Sequence, residues 1–206
     1  QVIAQTIGGE TRFRSLETGV QTASEGLSYA AARQRNPIET APRALTVDDR
    51  DGTYLAGGCS GCDAAARAVL WRTLSSTGQS DATWGSGGRA FDGDAMNHAT
   101  DFWSLVRDDD GRLVAGGFSM VGGLAWPTVA RFNSDGRVEE SFGDHGRLSL
   151  DPARFGGTLS SGYLLRALPS ADGVLLVGVD EAPSVHVGTR ALLARLRTDG
   201  TVVTAR

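Results

Sequence analysis

The feature that most constrains the fold of this chain is an internal repeat with a period of about 60 residues. In each copy, an apolar segment, an Asp-Gly pair and a second apolar segment follow one another. The pairs are Asp51-Gly52, Asp110-Gly111 and Asp172-Gly173, spaced by 59 and then 62 residues. Asp-Gly between two strand-like segments is a strong β-hairpin signal, because both turn residues can adopt positive φ. Each copy therefore predicts a hairpin.

A second hairpin and an aromatic-glycine element complete the unit. Apolar and polar residues alternate in the third strand, which suits a sheet with one buried face. The third strands are predicted at 68–74, 128–132 and 191–196, with turns at 76–78, 134–136 and 198–200. The aromatic-glycine element begins at Trp84 and, 58 residues later, at Phe142. Three separate landmarks thus share one period.

Four short strands per unit with glycine-rich turns are typical of a β-propeller blade. One unit cannot bury its own faces, so neighbouring units have to stack. The sequence thus predicts an all-β, propeller-like array of three four-stranded units, at 44–98, 101–151 and 163–206. The 28 glycines among 206 residues fit this fold, because short strands joined by tight turns use much glycine.

Residues 1–43 match the repeat poorly and are interpreted as an N-terminal leader. Val2–Ile7 is a candidate strand, and 27–33 is either a strand or a short helix. Three units are few for a closed ring, since propellers usually have about four to eight blades. Three solutions stay open. The leader closes the last unit or supplies a degenerate fourth blade, two chains pair into one ring, or the chain is a fragment of a longer protein.

The length of the unit varies in the loop between its second and third strands, at 59–67, 118–127 and 179–190. Insertions confined to one equivalent loop are expected to cluster on one side of the array, which is often the binding side. Most aromatic residues occupy repeated positions and are expected in the core. Trp126 is the exception and the best candidate for an exposed contact residue. Met120 and Asp180, in the same set of loops, complete the predicted binding residues.

Part of this pattern carries a family resemblance. The residues Leu-Val-Ala-Gly-Gly, Val-Ala-Arg-Phe-Asn-Ser-Asp-Gly-Arg and Ser-Phe-Gly-Asp-His-Gly, within 113–146, resemble the delta-60 repeat of bacterial proteins. The resemblance extends over 44–206, although the third unit stops before its aromatic-glycine element. It implies a propeller-like β fold and a secreted or cell-surface bacterial setting. It implies no reaction and brings no catalytic residues.

Charge and hydropathy exclude two classes of partner. The formal net charge is −4 and the arginines form no basic stripe, which argues against nucleic acid. No apolar segment approaches the ~20 residues that span a bilayer, so we expect no membrane span. The chain begins at Gln1 without a signal peptide, which we interpret as a processed, mature form or a trimmed sequence.

The two cysteines, Cys59 and Cys62, form a C-x-x-C motif. A zinc site would need a second pair of ligands, and a thioredoxin-like site would need a helix start in a βαβ context. We therefore predict a local disulfide between them, which fits an oxidising compartment. The expected location is secreted, periplasmic or at the cell surface.

The densest group of oxygen ligands is Asp92, Asp94 and Asn97, a possible Ca²⁺ site between units. The alternative is a solvated linker, since the spacing and terminal glutamate of an EF-hand are missing. No other cofactor is expected. Histidines fall at different positions of the unit, and the acidic turns recur where aspartate caps its own backbone. No Gly-x-Ser-x-Gly motif is present.

These observations favour a secreted or cell-surface binding or scaffold module that contacts a protein or glycan through its inter-strand loops. Two alternatives stay open. One is a hydrolase or lyase with acidic residues at the blade axis, which the fold alone does not exclude. The other is a self-assembling subunit, a homo-oligomer that closes a ring or fibre by strand pairing.

Overall fold

The structure is a computed structural model, and it describes residues 29–31, 34–35, 41–48, 50–59, 67–92, 99–151, 161–170, 172–181 and 190–205. Within these ranges the regular structure consists of β-strands alone, and no helix is present. The all-β prediction is confirmed.

Three antiparallel four-stranded sheets account for most of the described chain, and in each the strands are hydrogen-bonded in sequence order. We call them blades 1, 2 and 3. Blade 1 contains β3 (Ala41–Val47), β4 (Gly52–Cys59), β5 (Arg67–Leu74) and β6 (Arg89–Phe91). Blade 2 contains β7 (Thr100–Arg107), β8 (Leu113–Val121), β9 (Leu124–Phe132) and β10 (Arg147–Ser149). Blade 3 contains β11 (Ser161–Ser170), β12 (Gly173–Glu181), β13 (Arg190–Leu196) and β14 (Val202–Ala205). The predicted array of four-stranded units is confirmed.

The described part of the leader forms a separate two-stranded sheet, β1 (Tyr29–Ala31) and β2 (Gln34–Arg35). A strand therefore occupies part of 27–33, where strand and helix were both open. The expectation that the third unit lacks its last strand is wrong, because β14 (Val202–Ala205) pairs with β13 as the fourth strand of blade 3. Val2–Ile7 lies outside the described residues, so a role for that segment as a strand stays a prediction.

The turn between the first two strands of blades 1 and 2 has one left-handed residue. That residue is Asp51 in blade 1 (φ 74°) and Gly111 in blade 2 (φ 81°). The backbone NH groups of Gly52 and Arg112 donate to the carboxylates of Asp48 and Asp108, respectively, at the start of each turn. The predicted hairpins are present, but in blades 1 and 2 the turn is a three-residue loop with one left-handed position, the last, and not a two-residue turn with two. Asp51 is equivalent to Gly111, not to Asp110.

Blades stack face to face, and each inter-blade space holds a separate cluster of buried apolar side chains. Between blades 1 and 2 the cluster joins Tyr54, Ala56, Ala68 and Leu70 to Phe102, Leu105, Leu113, Ala115, Ala130 and Phe132. Between blades 2 and 3 it joins Val114, Val129 and Phe142 to Leu164, Ala167, Val174, Leu176, Leu192, Ala194 and Leu196. Because side chains alternate along a strand, blade 2 contributes one set of residues to each neighbour. The middle blade thus has two buried faces.

The aromatic-glycine element clamps each blade to the next. Trp84-Gly85 follows the third strand of blade 1, and the Gly85 NH donates to the Asp135 carbonyl of blade 2 at 2.8 Å. The Trp84 Nε1–H donates to the Ser134 carbonyl at 2.9 Å. Phe142-Gly143 repeats the contact, since the Gly143 NH donates to the Asp199 carbonyl of blade 3 at 2.8 Å. The glycine turns at 134–136 and 198–200 therefore act as docking points between blades.

An arginine on the third strand supports each of these elements. Arg72 forms an ion pair with Asp81 in blade 1, and Arg131 Nε lies 2.7 Å from Glu139 Oε2 in blade 2. The guanidinium of Arg131 also stacks over the Phe142 ring, 4.6 Å from its centroid. These buried pairs fix the start of the aromatic-glycine element against its own sheet.

Candidate functional site

The first strand of every blade carries a β-bulge at the same place. One extra residue interrupts the register in each strand, and these residues are Arg43, Trp103 and Leu165. A bulge re-aims the side chain of its extra residue and bends the strand. Three different side chains are therefore presented by one repeated piece of backbone geometry.

A glycine opposite the bulge makes this geometry possible in blades 2 and 3. Gly117 pairs with Phe102 and Gly178 pairs with Leu164, next to the bulged residue. A Cβ on either glycine would overlap the carbonyl group of Asp101 or Tyr163 on the neighbouring strand. The second glycine of the Leu-Val-Ala-Gly-Gly motif is thus required by the close approach of the backbone.

The bulge of blade 2 places Trp103 among side chains from all three blades. The Trp103 ring stacks on Tyr163 of blade 3, with centroids 5.2 Å apart and planes 3° apart. Phe118 packs edge-on against both rings, at 5.3 Å from Trp103 and 5.2 Å from Tyr163. The Arg43 guanidinium of blade 1 lies 5.4 Å from the Trp103 centroid, a cation–π contact. We call these four residues and Asp101 the aromatic cluster.

Asp101 anchors the polar side of the aromatic cluster. Its Oδ2 accepts hydrogen bonds from Arg43 Nε at 2.7 Å and from Trp103 Nε1 at 3.0 Å. Its Oδ1 is buried and has no hydrogen-bond partner within the described chain. Burial raises the pKa of the Asp101 carboxyl above its usual range, although the hydrogen bond from Trp103 and the charge of Arg43 oppose this. The carboxylate therefore holds Arg43 against Trp103 at some cost in desolvation.

The aromatic cluster lies at the end of the array where the first strands begin and the second strands end. The connections between second and third strands leave the sheets at this same end. In blade 2 this connection is regular structure, because β8 and β9 continue to a two-residue turn at Gly122-Gly123, with φ of 59° and 83°. The prediction of a loop over 118–127 is wrong for this reason: two glycines supply the left-handed pair that a tight hairpin needs.

The predicted contact residues Trp126 and Met120 lie on this hairpin, on opposite faces. Trp126 pairs with Ser119, whereas Met120 pairs with Ala125, and neighbouring positions of a strand point to opposite sides. Both side chains are partly buried. Met120 shares its face with Phe118 of the aromatic cluster. The structure thus does not bring the two predicted residues onto one surface.

Asp180, the third predicted contact residue, lies on β12 opposite Gly162 and Arg190. Its side chain is outside the described part, as are the neighbouring residues 182–189. A binding role for Trp126, Met120 and Asp180 stays a prediction.

Of the predicted Ca²⁺ ligands, Asp92 is described, and Asp94 and Asn97 lie outside the described residues. Asp92 is fully buried, and its Oδ2 lies 3.9 Å from Arg147 Nη1. Arg147 also donates through Nη2 to Ser119 Oγ at 2.6 Å. In the described ranges no group of three or more His, Cys, Asp or Glu side chains could hold a metal ion. The Ca²⁺ site stays a prediction.

The predicted disulfide also falls outside the described part. Cys59 ends β4, but its side chain and all of Cys62 lie outside what the structure describes.

A depression of about 350 Å³ lies between blades 2 and 3 at the opposite end of the array, and its lining includes Asp108 and Asp110. Arg112 forms ion pairs with both, at 2.7 Å from Nε and 2.7 Å from Nη2. The hydrogen bond to Asp108, together with the charge of that carboxylate, raises the pKa of Arg112. Both carboxylates are thus engaged in ion pairs with one guanidinium at this turn.

Sequence comparison supports the architecture for part of the chain. Residues 109–142 match the model of a family described as a domain of unknown function (DUF5122) beta-propeller. That segment is similar to a β-propeller repeat of this family. It begins in the first turn of blade 2 and ends at Phe142, where the clamp to blade 3 starts. No curated protein and no solved structure matches the chain. None of the described residues forms a helix of the length and hydropathy that crossing a membrane requires.

The sequence interpretation missed the aromatic cluster. Trp103 and Phe118 were counted among the aromatic residues expected in the core, yet both are only partly buried. The signal that could have identified them is the change of residue type at one repeated position, from Arg43 to Trp103 to Leu165.

Proposed function

We propose that this chain is a propeller-type binding module that contacts a protein partner through the aromatic cluster end of the array. The observation that carries the proposal is the convergence of Arg43, Trp103 and Tyr163, from three different blades, at the end where the inter-strand connections lie. A β-propeller is a scaffold for such surfaces and specifies no reaction by itself.

The composition of the aromatic cluster suits a protein interface. Trp, Tyr and Arg are the residues that most often dominate the binding energy of protein–protein interfaces. Stacked rings lose little conformational entropy on binding, because their neighbours already fix them. The Arg43 side chain is 47% exposed, and its Nε is the atom that pairs with Asp101. Its Nη groups can therefore donate to a carboxylate of a partner.

The arrangement favours a protein over a glycan. Aromatic platforms bind sugars through a free ring face. The Trp103 ring already contacts Tyr163, Phe118 and Arg43. A ligand can therefore contact ring edges and the Arg43 guanidinium, but not a free face of this ring. An acidic peptide segment with an apolar or aromatic neighbour matches that chemistry.

The proposed setting is a secreted or cell-surface bacterial protein of the delta-60 repeat type. The support is the resemblance over 44–206 and the Cys59/Cys62 pair, whose predicted disulfide would persist in an oxidising compartment.

Panning a displayed library of random peptides on the folded chain tests the binding proposal. We expect peptides that combine carboxylates with aromatic residues to be enriched. Fluorescence anisotropy of the synthetic peptides then gives their affinity for the wild type, for Arg43→Glu and for Arg137→Glu. The matched control Arg137 is an exposed arginine in a turn at the opposite end of blade 2.

Arg43→Glu is expected to weaken binding about tenfold or more, equivalent to the loss of one charge-assisted contact, and Arg137→Glu to leave it unchanged. Failure to enrich any peptide, or equal affinities for the wild type and Arg43→Glu, would refute the proposal.

A further inference from the structure

Successive blades meet through the same two positions at the aromatic cluster end of the array. The residue at the bulge of one blade contacts the residue that lies two positions before the bulge of the next blade. Between blades 2 and 3 this contact is aromatic, because the Trp103 ring stacks on Tyr163. Between blades 1 and 2 it is ionic, because Arg43 Nε donates to Asp101 Oδ2 at 2.7 Å. The stacking of two blades therefore does not itself require a charge at this place.

A glycine leaves one oxygen of the Asp101 carboxylate without a donor. Gly58 in β4 occupies the position that Phe118 has in blade 2, since each pairs with the residue two positions before the bulge of its own blade. Phe118 packs against Tyr163 of the next blade. Gly58 has no side chain to do the same, and a Cβ added there would lie 3.1 Å from Asp101 Oδ1. That oxygen is buried, and no described group donates to it.

Arg43 is the charged group that faces Asp101 in the described part of the chain. It comes from β3, and its side chain is 47% exposed, against 16% for Asp101. The residues that β4, β8 and β11 bring to this place are uncharged, namely Gly58, Phe118 and Tyr163. The protonation state of Asp101 and the position of Arg43 therefore depend on each other.

Protonation of Asp101 acts differently on the two groups that donate to it. The Trp103 Nε1–H donates to Oδ2 at 3.0 Å and needs only an acceptor, which a protonated carboxyl retains. The bond from Arg43 joins two opposite charges, and bonds of that kind are about twice as strong as neutral ones. Once Asp101 is uncharged, Trp103 keeps its hydrogen bond, whereas the Arg43 guanidinium becomes free to pair elsewhere.

We propose that a carboxylate of the partner competes with Asp101 for the Arg43 guanidinium, and that Asp101 takes up a proton from solvent as the acidic partner binds. The inference rests on the proposed function and names the regulation of that same surface. In the free chain Arg43 Nε pairs with Asp101, and in the complex Nε and Nη both serve the carboxylate of the partner. Acidic partners therefore bind more tightly at mildly acidic pH than at neutral pH.

Two effects give this pH dependence the same sign. Burial already raises the pKa of the Asp101 carboxyl above its usual range. A second carboxylate at Arg43 repels the negative charge of Asp101, which raises that pKa further in the complex. A group with a higher pKa in the complex takes up protons on binding, so the affinity increases as the pH falls. Uptake of one proton limits this increase to about tenfold per pH unit.

Fluorescence anisotropy of an acidic peptide selected by panning measures the effect between about pH 7.5 and about pH 5. The carboxyls of the peptide titrate near about 4, and their protonation weakens binding, so they cannot mimic the expected increase. Asp101→Asn is the test variant, because the amide preserves the shape of the side chain without the charge. The matched control is Asp110→Asn, which removes a carboxylate that pairs with Arg112 at the opposite end of blade 2. Circular dichroism checks that each variant is folded.

The wild type and Asp110→Asn are expected to bind the peptide about threefold or more tightly at the lower pH. Asp101→Asn should bind it equally well at both pH values, and at neutral pH at least as tightly as the wild type binds it in acid. Titration calorimetry of the wild type, in two buffers of different ionisation enthalpy, should show that protons are taken up on binding. This last measurement needs no variant.

The outcomes separate this inference from the proposed function. Binding that Arg43→Glu weakens, but that has the same affinity at both pH values and takes up no proton, would overturn the inference and leave the proposed function in place. An equal response to pH in the wild type and in Asp101→Asn would do the same. Absence of binding at either pH would overturn both.

Discussion

Gly136 offers the sharpest test of the clamp between blades. It lies in the second glycine turn of blade 2 with φ of 85°, and it is buried beneath Trp84 of blade 1. A Cβ added at Gly136 would lie 2.7 Å from Trp84 Cε2, closer than side-chain atoms approach each other. Gly136→Ala therefore combines an unfavourable backbone conformation with a steric clash.

Gly78 is the matched control, because it occupies the equivalent turn of blade 1. Its φ is 70°, and an added Cβ would have nothing within 4 Å. A left-handed conformation costs an L-residue about 1–2 kcal/mol, so Gly78→Ala should destabilise by that amount. Gly136→Ala bears the same cost and about 1–3 kcal/mol more for overpacking against Trp84. We expect a loss of about 2–5 kcal/mol in its free energy of unfolding.

Urea denaturation followed by circular dichroism and by tryptophan fluorescence measures both variants. Trp84→Phe provides a second variant, because in the equivalent turn of blade 3 a Cβ added at Gly200 would lie 3.4 Å from the Phe142 ring, although 2.7 Å from the Gly143 N. A smaller ring thus relieves the contact with the side chain and leaves the one with the backbone. In the Trp84→Phe background, Gly136→Ala should cost less than in the wild type, a coupling that a double-mutant cycle detects. The proposed contact between Trp84 and Gly136 would be refuted if Gly78→Ala and Gly136→Ala lowered the free energy of unfolding equally. It would also be refuted if the effects of Gly136→Ala and Trp84→Phe were strictly additive.

Three further outcomes follow from the charges and the cysteines. Two carboxyls, of Asp48 and Asp101, should affect the pH dependence of the free energy of unfolding in opposite directions. Burial would raise the pKa of Asp48, but hydrogen bonds from Tyr54 and the turn NH groups bring it below 3.8. The wild type should therefore have a larger free energy of unfolding than Asp48→Asn at neutral pH, and this difference should vanish as the pH falls below that value. The pKa of Asp101 is raised by burial, so the wild type should gain stability relative to Asp101→Asn as the pH is lowered from neutral towards 4, and urea denaturation along a pH series checks both. The hydrogen bond that His145 Nδ1 donates to the Glu140 carboxylate raises the pKa of His145 above 6.5, so Glu140→Gln should bring it back towards that value in an NMR titration; no change would contradict the pairing. Mass spectrometry of the unreduced chain should find Cys59 and Cys62 linked and resistant to alkylation, and two freely alkylated thiols would exclude the predicted disulfide.

The blade architecture could be predicted from the sequence because it depends on local patterns that recur. Glycine turns at Gly78, Gly136 and Gly200 all have positive φ, as their place after the third strand predicts. Four strands per unit follow from such turns together with alternating apolar positions. Stacking then follows from the need to cover both faces of a sheet.

Register was harder to predict because it depends on single residues. Asp-Gly recurs in the sequence, but the first turns of blades 1 and 2 align Asp51 with Gly111. This structural alignment is shifted by one residue from the alignment of the two Asp-Gly pairs. Aspartate tolerates left-handed backbone, so the turn can shift without a change of composition. The hairpin at Gly122-Gly123 was overlooked for the opposite reason: an irregular loop and an extended pair of strands have similar composition over ten residues.

The aromatic cluster was the hardest feature to predict because a bulge creates it. An inserted residue breaks the alternation that assigns Trp103 to one face, and the close approach of Gly117 that permits the bulge is a long-range contact. The repeat supplies the same bulge in each blade, so the backbone geometry is shared while the side chain is free to differ. Arg43, Trp103 and Leu165 occupy the same bulge position in three blades. A ligand can therefore distinguish the blades by the chemistry of these side chains, although the backbone geometry is the same. In a repeat protein, the positions most informative about binding are therefore those where the backbone repeats and the residue does not.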